Sequence, residues 1–444
     1  MENVLEYLPQ VLFILALAYA VYFFTRNVNR LKRNINLGKE QNRSDRKKER
    51  LKKMMRVALG QSKMVVKPIA GFLHVIVYVG FVIINIEVLE IIIDGVLGTH
   101  RIFSFIGPVY DVLIASFEIL AFLVLVGVIL FWTRRNITRI KRFFAREMTA
   151  WPKNDANNIL YFEVVLMLLF LTMNAADHQL QINGAAHYVE AGAFPISKFL
   201  LPLFDNMTNE ALIVIERAAW WLHILGILFF LNYLYYSKHL HILLAFPNVY
   251  FSRLDPKGKF NNNETVTQEV KTMMDPNADP YAEPENDGDV PDKFGANDVT
   301  DLSWFQLLSA YTCTECGRCT SECPANQTGK LLSPRKIMMD TRDRLEEISN
   351  HLNKGESMDD GKSLLGDYIS KEELWACTTC NACVEACPVG IDPLSIIMEM
   401  RQYLMMEKSD ASPELNNAMS NIENNAAPWP YNQQDRLKWA EETN

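Results

Sequence analysis

The chain has 444 residues, of which 22% are charged and 49% hydrophobic, with a net charge of −8. Its mean hydropathy is close to zero. Those averages exclude a chain that is apolar throughout, but they mix two unlike halves.

Up to about residue 250 the sequence carries five long apolar segments, at about 8–25, 65–93, 109–132, 158–176 and 211–236. Each approaches the roughly 20 residues that a bilayer requires. The first is too long and too polar-flanked for a cleaved signal peptide, and no small-residue cleavage site follows it. The loops alternate in charge. The stretch Arg26–Lys67 holds fifteen basic residues against three acidic, and Arg134–Lys153 holds seven against one. The loops at about 94–108 and 177–210 hold one basic residue each, Arg101 and Lys198. The basic loops are therefore expected on the cytoplasmic side, with the N-terminus outside and everything after the fifth span inside. The basic run Arg43–Lys53 lies between two spans. Anchoring to anionic lipid fits it better than nucleic-acid binding, and no nucleic-acid partner is expected.

Seven of the eight histidines lie in this half. His223 and His241 are 18 residues apart, five turns of an uninterrupted helix. Both rings would then leave one face, roughly 27 Å apart at about 1.5 Å per residue. His239 would point from the opposite face. His74 sits in the cytoplasmic third of the second span. Gly71 and Gly226 lie three residues from His74 and His223, where missing side chains would let a porphyrin approach. Haem iron in electron-transfer sites takes two strong axial ligands. One haem b is expected on His74 and His241. A second is left open on His223, with His178 or His187 as its partner. Glu87, Glu90, Glu118, Glu216 and Arg217 are ionisable groups within or near spans, where such groups are costly and usually functional.

Residues from about 255 to 300 are rich in Asn, Asp, Pro and Glu, a composition that cannot bury a core. Helical patterns follow at Leu302–Tyr311, Pro334–His351, Glu372–Ala376 and Pro393–Met406, and strand signals are scarce. Trp304, Phe305 and Trp375 are expected as shielding core. Met398, Met400, Met405 and Met406 suggest an adaptable apolar contact surface, with core packing as the alternative.

All eight cysteines fall in two runs: Cys313-Thr-Glu-Cys316-Gly-Arg-Cys319-Thr-Ser-Glu-Cys323-Pro324 and Cys377-Thr-Thr-Cys380-Asn-Ala-Cys383-Val-Glu-Ala-Cys387-Pro388. Each has the C-x₂-C-x₂-C-x₃-C-P spacing of bacterial two-cluster iron–sulfur proteins, in which the fourth cysteine serves the other cluster. Cys313, Cys316, Cys319 and Cys387 are expected to hold one [4Fe–4S] cluster. Cys377, Cys380, Cys383 and Cys323 are expected to hold the second. Zinc sites use pairs of cysteines rather than fours ending in Cys-Pro, and a disulfide framework conflicts with a reducing compartment.

Five spans, an outside N-terminus and the run Tyr236-Ser-Lys-His-Leu-His241 resemble the cytochrome b (gamma) subunit of respiratory nitrate reductase. The run Ala58-Leu-Gly60-Gln-Ser-Lys ahead of Gly71-Phe-Leu-His74, followed by the dicluster part, resembles the membrane-bound heterodisulfide reductase group. In that group such a cytochrome is fused or paired with an iron–sulfur subunit. The resemblance implies His74 and His241 as a cytoplasm-side haem pair and His223 as an outer ligand. Ile84 stands where the nitrate reductase subunit has a histidine, and that departure bears on the outer haem. The segment Asn424–Trp429, with Asp435, Arg436 and Trp439, resembles the lead-in to a cysteine-rich CCG domain. The sequence shows no such domain before Asn444, so it is expected on a separate cytoplasmic subunit.

The expected fold is all-α: a transmembrane bundle over 1–250, a linker over 251–300 and an α-helical dicluster ferredoxin domain over 301–444. The expected function is electron transfer in a bacterial cytoplasmic membrane, between quinone, haem b, two [4Fe–4S] clusters and a CCG-type iron–sulfur reductase subunit. The alternative is a haem-free, membrane-anchored dicluster protein acting in cytochrome-oxidase assembly or redox sensing.

Overall fold

The computed structural model describes residues 7–260, 262, 264–276 and 293–442. Of the expected linker, residues 261, 263 and 277–292 lie outside the described residues. The described residues form no β-strand; two isolated bridges, Lys39 with Ser303 and Leu365 with Ile369, are the extent of strand-like pairing.

The helices are α1 (Leu8–Ile35), α2 (Lys47–Met54), α3 (Pro68–Leu97), α4 (Pro108–Asn136), α5 (Ala150–Ile182), α6 (Asn209–Tyr233), α7 (His241–Phe251) and α8 (Glu264–Met274). There follow α9 (Trp304–Thr312), α10 (Arg318–Ser321), α11 (Pro324–Gln327), α12 (Pro334–Lys354), α13 (Lys371–Trp375), α14 (Ala382–Ala386), α15 (Pro393–Gln402), α16 (Pro413–Asn425) and α17 (Lys438–Glu441). Five of them are long and apolar enough to cross a membrane: α1, α3, α4, α5, and α6 with the turn that extends it to Tyr236. Their starts follow local rules. Pro68 and Pro108 occupy first helical positions, where the missing N–H costs nothing. Thr208 caps α6 through the Ala211 N–H.

The spans pack around Phe13, Tyr110, Ile114, Phe117, Phe170 and Ile224, each nearly inaccessible. Outward-facing Phe72, Val82 and Val112 stay exposed, as expected of lipid-facing positions. The cysteine-bearing module has its own core of Leu302, Leu307, Ile337, Leu345, Ile396 and Met400. Ala296 and Val299 are fully buried in that core, so its packing begins before residue 301.

The module is not tethered loosely. Leu31 and Leu240 from the bundle enter its core. The C-terminal extension of α1 grips α12: Arg30 Nη2 donates to Glu346 Oε2 at 2.8 Å, and Arg33 Nη2 to Ser349 Oγ at 2.8 Å. Asn34 is fully buried and donates to Tyr311 Oη at 2.8 Å. Gly38 has no room for a Cβ, which would lie 2.6 Å from the Trp304 nitrogen. The module therefore sits on the end of the bundle that carries the basic loops.

Two expectations change. The basic run Arg43–Lys53 is largely committed to protein. Arg43 donates to the Phe251 carbonyl at 2.7 Å, Arg50 to Ser252 O at 3.0 Å and Lys53 to Arg253 O at 2.6 Å. These cations satisfy carbonyls at the C-terminal end of α7, where the helix leaves acceptors unpaired. Only Lys47, Lys48 and Lys52 of its lysines are exposed for lipid. Second, Met400 is fully buried and Met398 packs against the core, so of the four methionines only Met406 is exposed.

Candidate metal centres

The first cysteine run turns on Gly317, whose φ of +70° favours glycine. A Cβ there would also lie 2.5 Å from Arg335 Nη1. A small cavity is lined by Cys313, Cys316, Cys319 and Cys387, with Arg318 and Arg335 in its wall. The fourth cysteine comes from the second run, far along the chain from the other three. The neighbours of each thiol follow the same division. Cys313 and Cys319 feel Cys316 and Cys387, whereas Cys377 and Cys383 feel Cys323. Cys319 also feels Cys383, so the two groups adjoin. None of the eight is in a disulfide.

Burial pushes the Cys313 thiol up to about 12 and the Cys387 thiol up to about 11. Metal binding at such thiols must displace protons, and the negative charge so created needs a cation at the same place. Four converging sulfurs in a buried pocket match the donor set of a [4Fe–4S] cluster. At the other group Cys380 is exposed, so the second set reaches the surface.

The first set lies against the bundle. Arg335, wholly buried, donates to Glu147 Oε1 at 2.7 Å and to the Arg142 carbonyl at 2.8 Å. Arg318 donates to the Lys63 and Met64 carbonyls at 3.2 and 3.3 Å. The same Arg318 acts electrostatically on His74. The first cysteine set and the His74 end of α3 are therefore neighbours.

The histidines depart from the uninterrupted helix assumed above. Ser237 is extended, with φ −114° and ψ 151°, and separates α6 from α7. Its hydroxyl accepts from the His239 N–H at 3.0 Å, and Asp155 of α5 accepts the Lys238 N–H at 3.1 Å. The one-face argument for His223 and His241 therefore fails. His239 is not turned away: its ring centroid lies 5.6 Å from that of His241. His241 also feels His74 and His239. The structure thus brings His74, His239 and His241 together.

The glycines do not serve as porphyrin cradles. A Cβ on Gly71 would meet Val65 Cα at 2.7 Å, and one on Gly226 would meet Leu166 Cδ2 at 2.8 Å. Protein already fills both places. The imidazoles themselves fit haem ligation better. His241 Nδ1 contacts the Lys238 carbonyl at 2.9 Å and His223 Nδ1 contacts the Leu166 carbonyl at 3.0 Å. A hydrogen bond from Nδ1–H fixes the ring and leaves Nε2 as the ligating atom. Nδ1 of His74, His178 and His239 is buried and has no hydrogen-bond partner among the described residues.

His178 stacks on Phe194 at 4.8 Å and His187 is exposed. No direct contact joins either to His223 among the described contacts. Glu118 is committed to structure, accepting from the Ile196 and Ser197 N–H groups at 2.9 and 3.0 Å. Trp375 packs on the module core with Arg401 5.0 Å from its ring, and Phe305 is buried, both as expected.

Residues 312–391 match the family described as a 4Fe-4S dicluster domain. A probable iron-sulfur-binding oxidoreductase, FadF, of Bacillus subtilis is 31% identical over 97% of this chain and 60% of its own length. The EtfAB:quinone oxidoreductase of Syntrophomonas wolfei is 25% identical over 91% of this chain and 55% of its own. One of the subunits of a ferredoxin/F(420)H(2)-dependent CoB-CoM heterodisulfide reductase of Methanosarcina acetivorans is 34% identical over 22% of this chain and 49% of its own. The chain thus spans little more than half the length of the first two relatives. No solved structure matches it. The chain is homologous to iron–sulfur oxidoreductases and electron-transfer subunits, carries a dicluster [4Fe–4S] domain, and joins it to five helices able to cross a membrane.

Proposed function

We propose that the protein is the membrane arm of an electron conduit between a cytoplasmic redox partner and quinone. The observation that carries this reading is the order of the ligand sets. Cys380 is at the surface, Cys383 and Cys319 adjoin, and the Cys316–Arg318 turn borders His74 in the bundle. One cluster is held by Cys377, Cys380, Cys383 and Cys323, and the other by Cys313, Cys316, Cys319 and Cys387. His74 and His241 ligate one haem b, with His239 beside them. His223 ligates a second, and His178 is the candidate for its other side. The clusters and haem supply one-electron steps; the protein sets their potentials through ligands, burial and nearby charge.

The relative named EtfAB:quinone oxidoreductase has, by that name, EtfAB and quinone as its two reactants. Carried over, electrons enter this protein from a reduced flavoprotein by way of a CCG-type iron–sulfur unit and leave to quinone in the membrane. The CCG-type unit docks on residues 300–444. There α16 buries no residue, and Met419, Ile422 and Trp429 are exposed. The membrane is the bacterial cytoplasmic membrane, with the basic loops and the cysteine module inside.

Optical spectra of the purified protein, oxidised and dithionite-reduced, test the haem assignment: a b-type spectrum is expected. Clusters without any haem signal would favour the haem-free anchored ferredoxin instead. Purification from membranes is expected to retain the CCG-type subunit, and deletion after about Ser409 to release it with the cofactors intact. A chain that purifies alone and still carries electrons between quinone and a soluble flavoprotein would remove the separate subunit from the reading.

A further inference from the structure

A second cavity lies at the opposite end of the bundle from the cysteine module, between the N-terminal part of α1, the C-terminal parts of α3 and α5, and the first half of α6. Its volume is about 410 Å³, within the range of small-molecule sites. One wall is apolar and aromatic, with Phe13, Trp220 and Trp221. The other carries Glu87, Arg101 and Asp177.

The ionisable groups are not equivalent. Arg101 is spent: its Nε donates to Asp177 Oδ2 at 2.5 Å, Nη1 to Tyr110 Oη at 3.2 Å and Nη2 to Asn174 Oδ1 at 3.2 Å. Glu90 accepts from Tyr110 Oη at 2.9 Å and from the Phe103 N–H at 2.9 Å. Glu216 is paired with Arg217 and accepts from Tyr188. Glu87 differs. It is 3% exposed, and its Oε2 has no hydrogen-bond partner among the described residues; of the other lining residues His100, whose Nε2 lies 3.4 Å from Asp177, also has such an atom, its Nδ1. The charged groups that act on it are Arg101, Glu90, Glu118 and Asp177. An unpaired buried oxygen costs free energy that a ligand able to hydrogen-bond to it would recover.

Glu87 is ten residues from the end of α3, about 15 Å inside it at 1.5 Å per residue. That depth lies within the apolar span, and the aromatic wall suits a flat ring. Trp220 is one turn from His223 on α6, about 4.5 Å along the axis. We propose that this cavity is the quinone site and that the Glu87 carboxyl passes protons to a quinone oxygen, an inference that rests on the reading above that quinone is the membrane reactant. In quinone reduction the two C=O groups become C–OH. The ring takes two electrons, one at a time, which originate in the reduced cytoplasmic flavoprotein. Each oxygen gains one proton. Glu87 gives up its O–H proton to one quinone oxygen and is reprotonated from water in the cavity, and the other oxygen takes its proton from that water.

The test uses the full chain in lipid nanodiscs, with a photoreactive azido-1,4-naphthoquinone as probe. Labelling is expected within residues 87–101 or 213–221, and 2,3-dimethyl-1,4-naphthoquinone should compete it away. Glu87→Gln should retain the labelling, and dithionite should still reduce its clusters. Its rate of quinone reduction should fall at least about a hundredfold, the lower end for a lost general acid, with partial recovery in Glu87→Asp. Labelling at the cysteine-module end with turnover intact would overturn this site alone. So would a Glu87→Gln rate and pH profile equal to wild type. A wild-type chain that is neither labelled by a naphthoquinone nor able to reduce one, its clusters being reduced, would overturn the functional reading itself.

Discussion

The two cysteine runs share a spacing but not an environment. Each run has buried cysteines, Cys313 and Cys323 in the first and Cys383 in the second, but the first is pressed against the bundle by Arg335, Arg318 and Arg142. The second run exposes Cys380; Arg401 donates to the Cys377 carbonyl at 2.6 Å, and Lys63 donates to the Glu385 carbonyl at 3.0 Å. Nearby positive charge stabilises the reduced, more negative form of a cluster, and burial and hydrogen bonding tune it further. The cluster against the membrane is therefore expected to take electrons from the one at the surface. Equal spacings encode equal cages. On the function proposed above, any polarity of electron flow would come from what surrounds them.

The largest effect should come from breaking the exchange between runs. Cys387→Ser is expected to remove the cluster held by Cys313, Cys316 and Cys319 while sparing the other. Non-haem iron would fall from about eight to about four per chain. EPR showing loss of the cluster on Cys377, Cys380 and Cys383 instead would reverse the crossed assignment, and with it the contrast between a membrane-side and a surface cluster.

At the membrane-side end of the same path, His74→Ala and His241→Ala are each expected to abolish one and the same haem signal in optical spectra. His239→Ala decides what the break at Ser237 means. With the two rings 5.6 Å apart, His239 is close enough to share the pocket without ligating. A retained signal in His239→Ala keeps His241 as the ligand; loss in His239→Ala with retention in His241→Ala exchanges the two.

Arg335→Met sharpens the comparison of potentials. It removes a wholly buried cation that bonds Glu147. Leaving one partner of a buried pair costs about 3 kcal/mol, visible as a lower thermal midpoint. The midpoint potential of the membrane-side cluster should drop while that of the surface cluster stays. Equal movement of both would show that the two environments are not electrically separate.

The spans and both cysteine runs are legible in the sequence because their signals are local: apolar length in one case, fixed spacing in the other. What is not legible depends on distant partners. Nothing in Tyr236-Ser-Lys-His announces a break, because the group that receives the freed Lys238 N–H is Asp155, on another helix. The loss of space at Gly71 comes from the backbone of Met64 and Val65 folding back on it. Glu87, Glu90 and Glu216 are each suspect as intramembrane charges. That Glu87 lacks a partner while Glu90 and Glu216 are paired follows only from the cavity's assembly out of four helices.

The smallest effects test the basic run between the first two spans. Lipid anchoring and helix capping make opposite claims about its members. Arg50 is 4% exposed and bonds Asp45 and the carbonyls of Tyr250 and Ser252. Arg50→Ala leaves those carbonyls without their donor at the end of α7, and should lower stability by about 2 kcal/mol. Lys47, Lys48 and Lys52 are exposed and hold no bond that α7 needs. Replacing all three by alanine should change stability by no more than about 0.5 kcal/mol. Each of these lysines can still contribute roughly 1 kcal/mol of attraction to an anionic bilayer surface. A lipid-selectivity assay of the triple variant should therefore show weaker enrichment of anionic lipid at an unchanged thermal midpoint. A lowered midpoint without any change in lipid enrichment would give the whole run to the protein and leave none of it to the membrane.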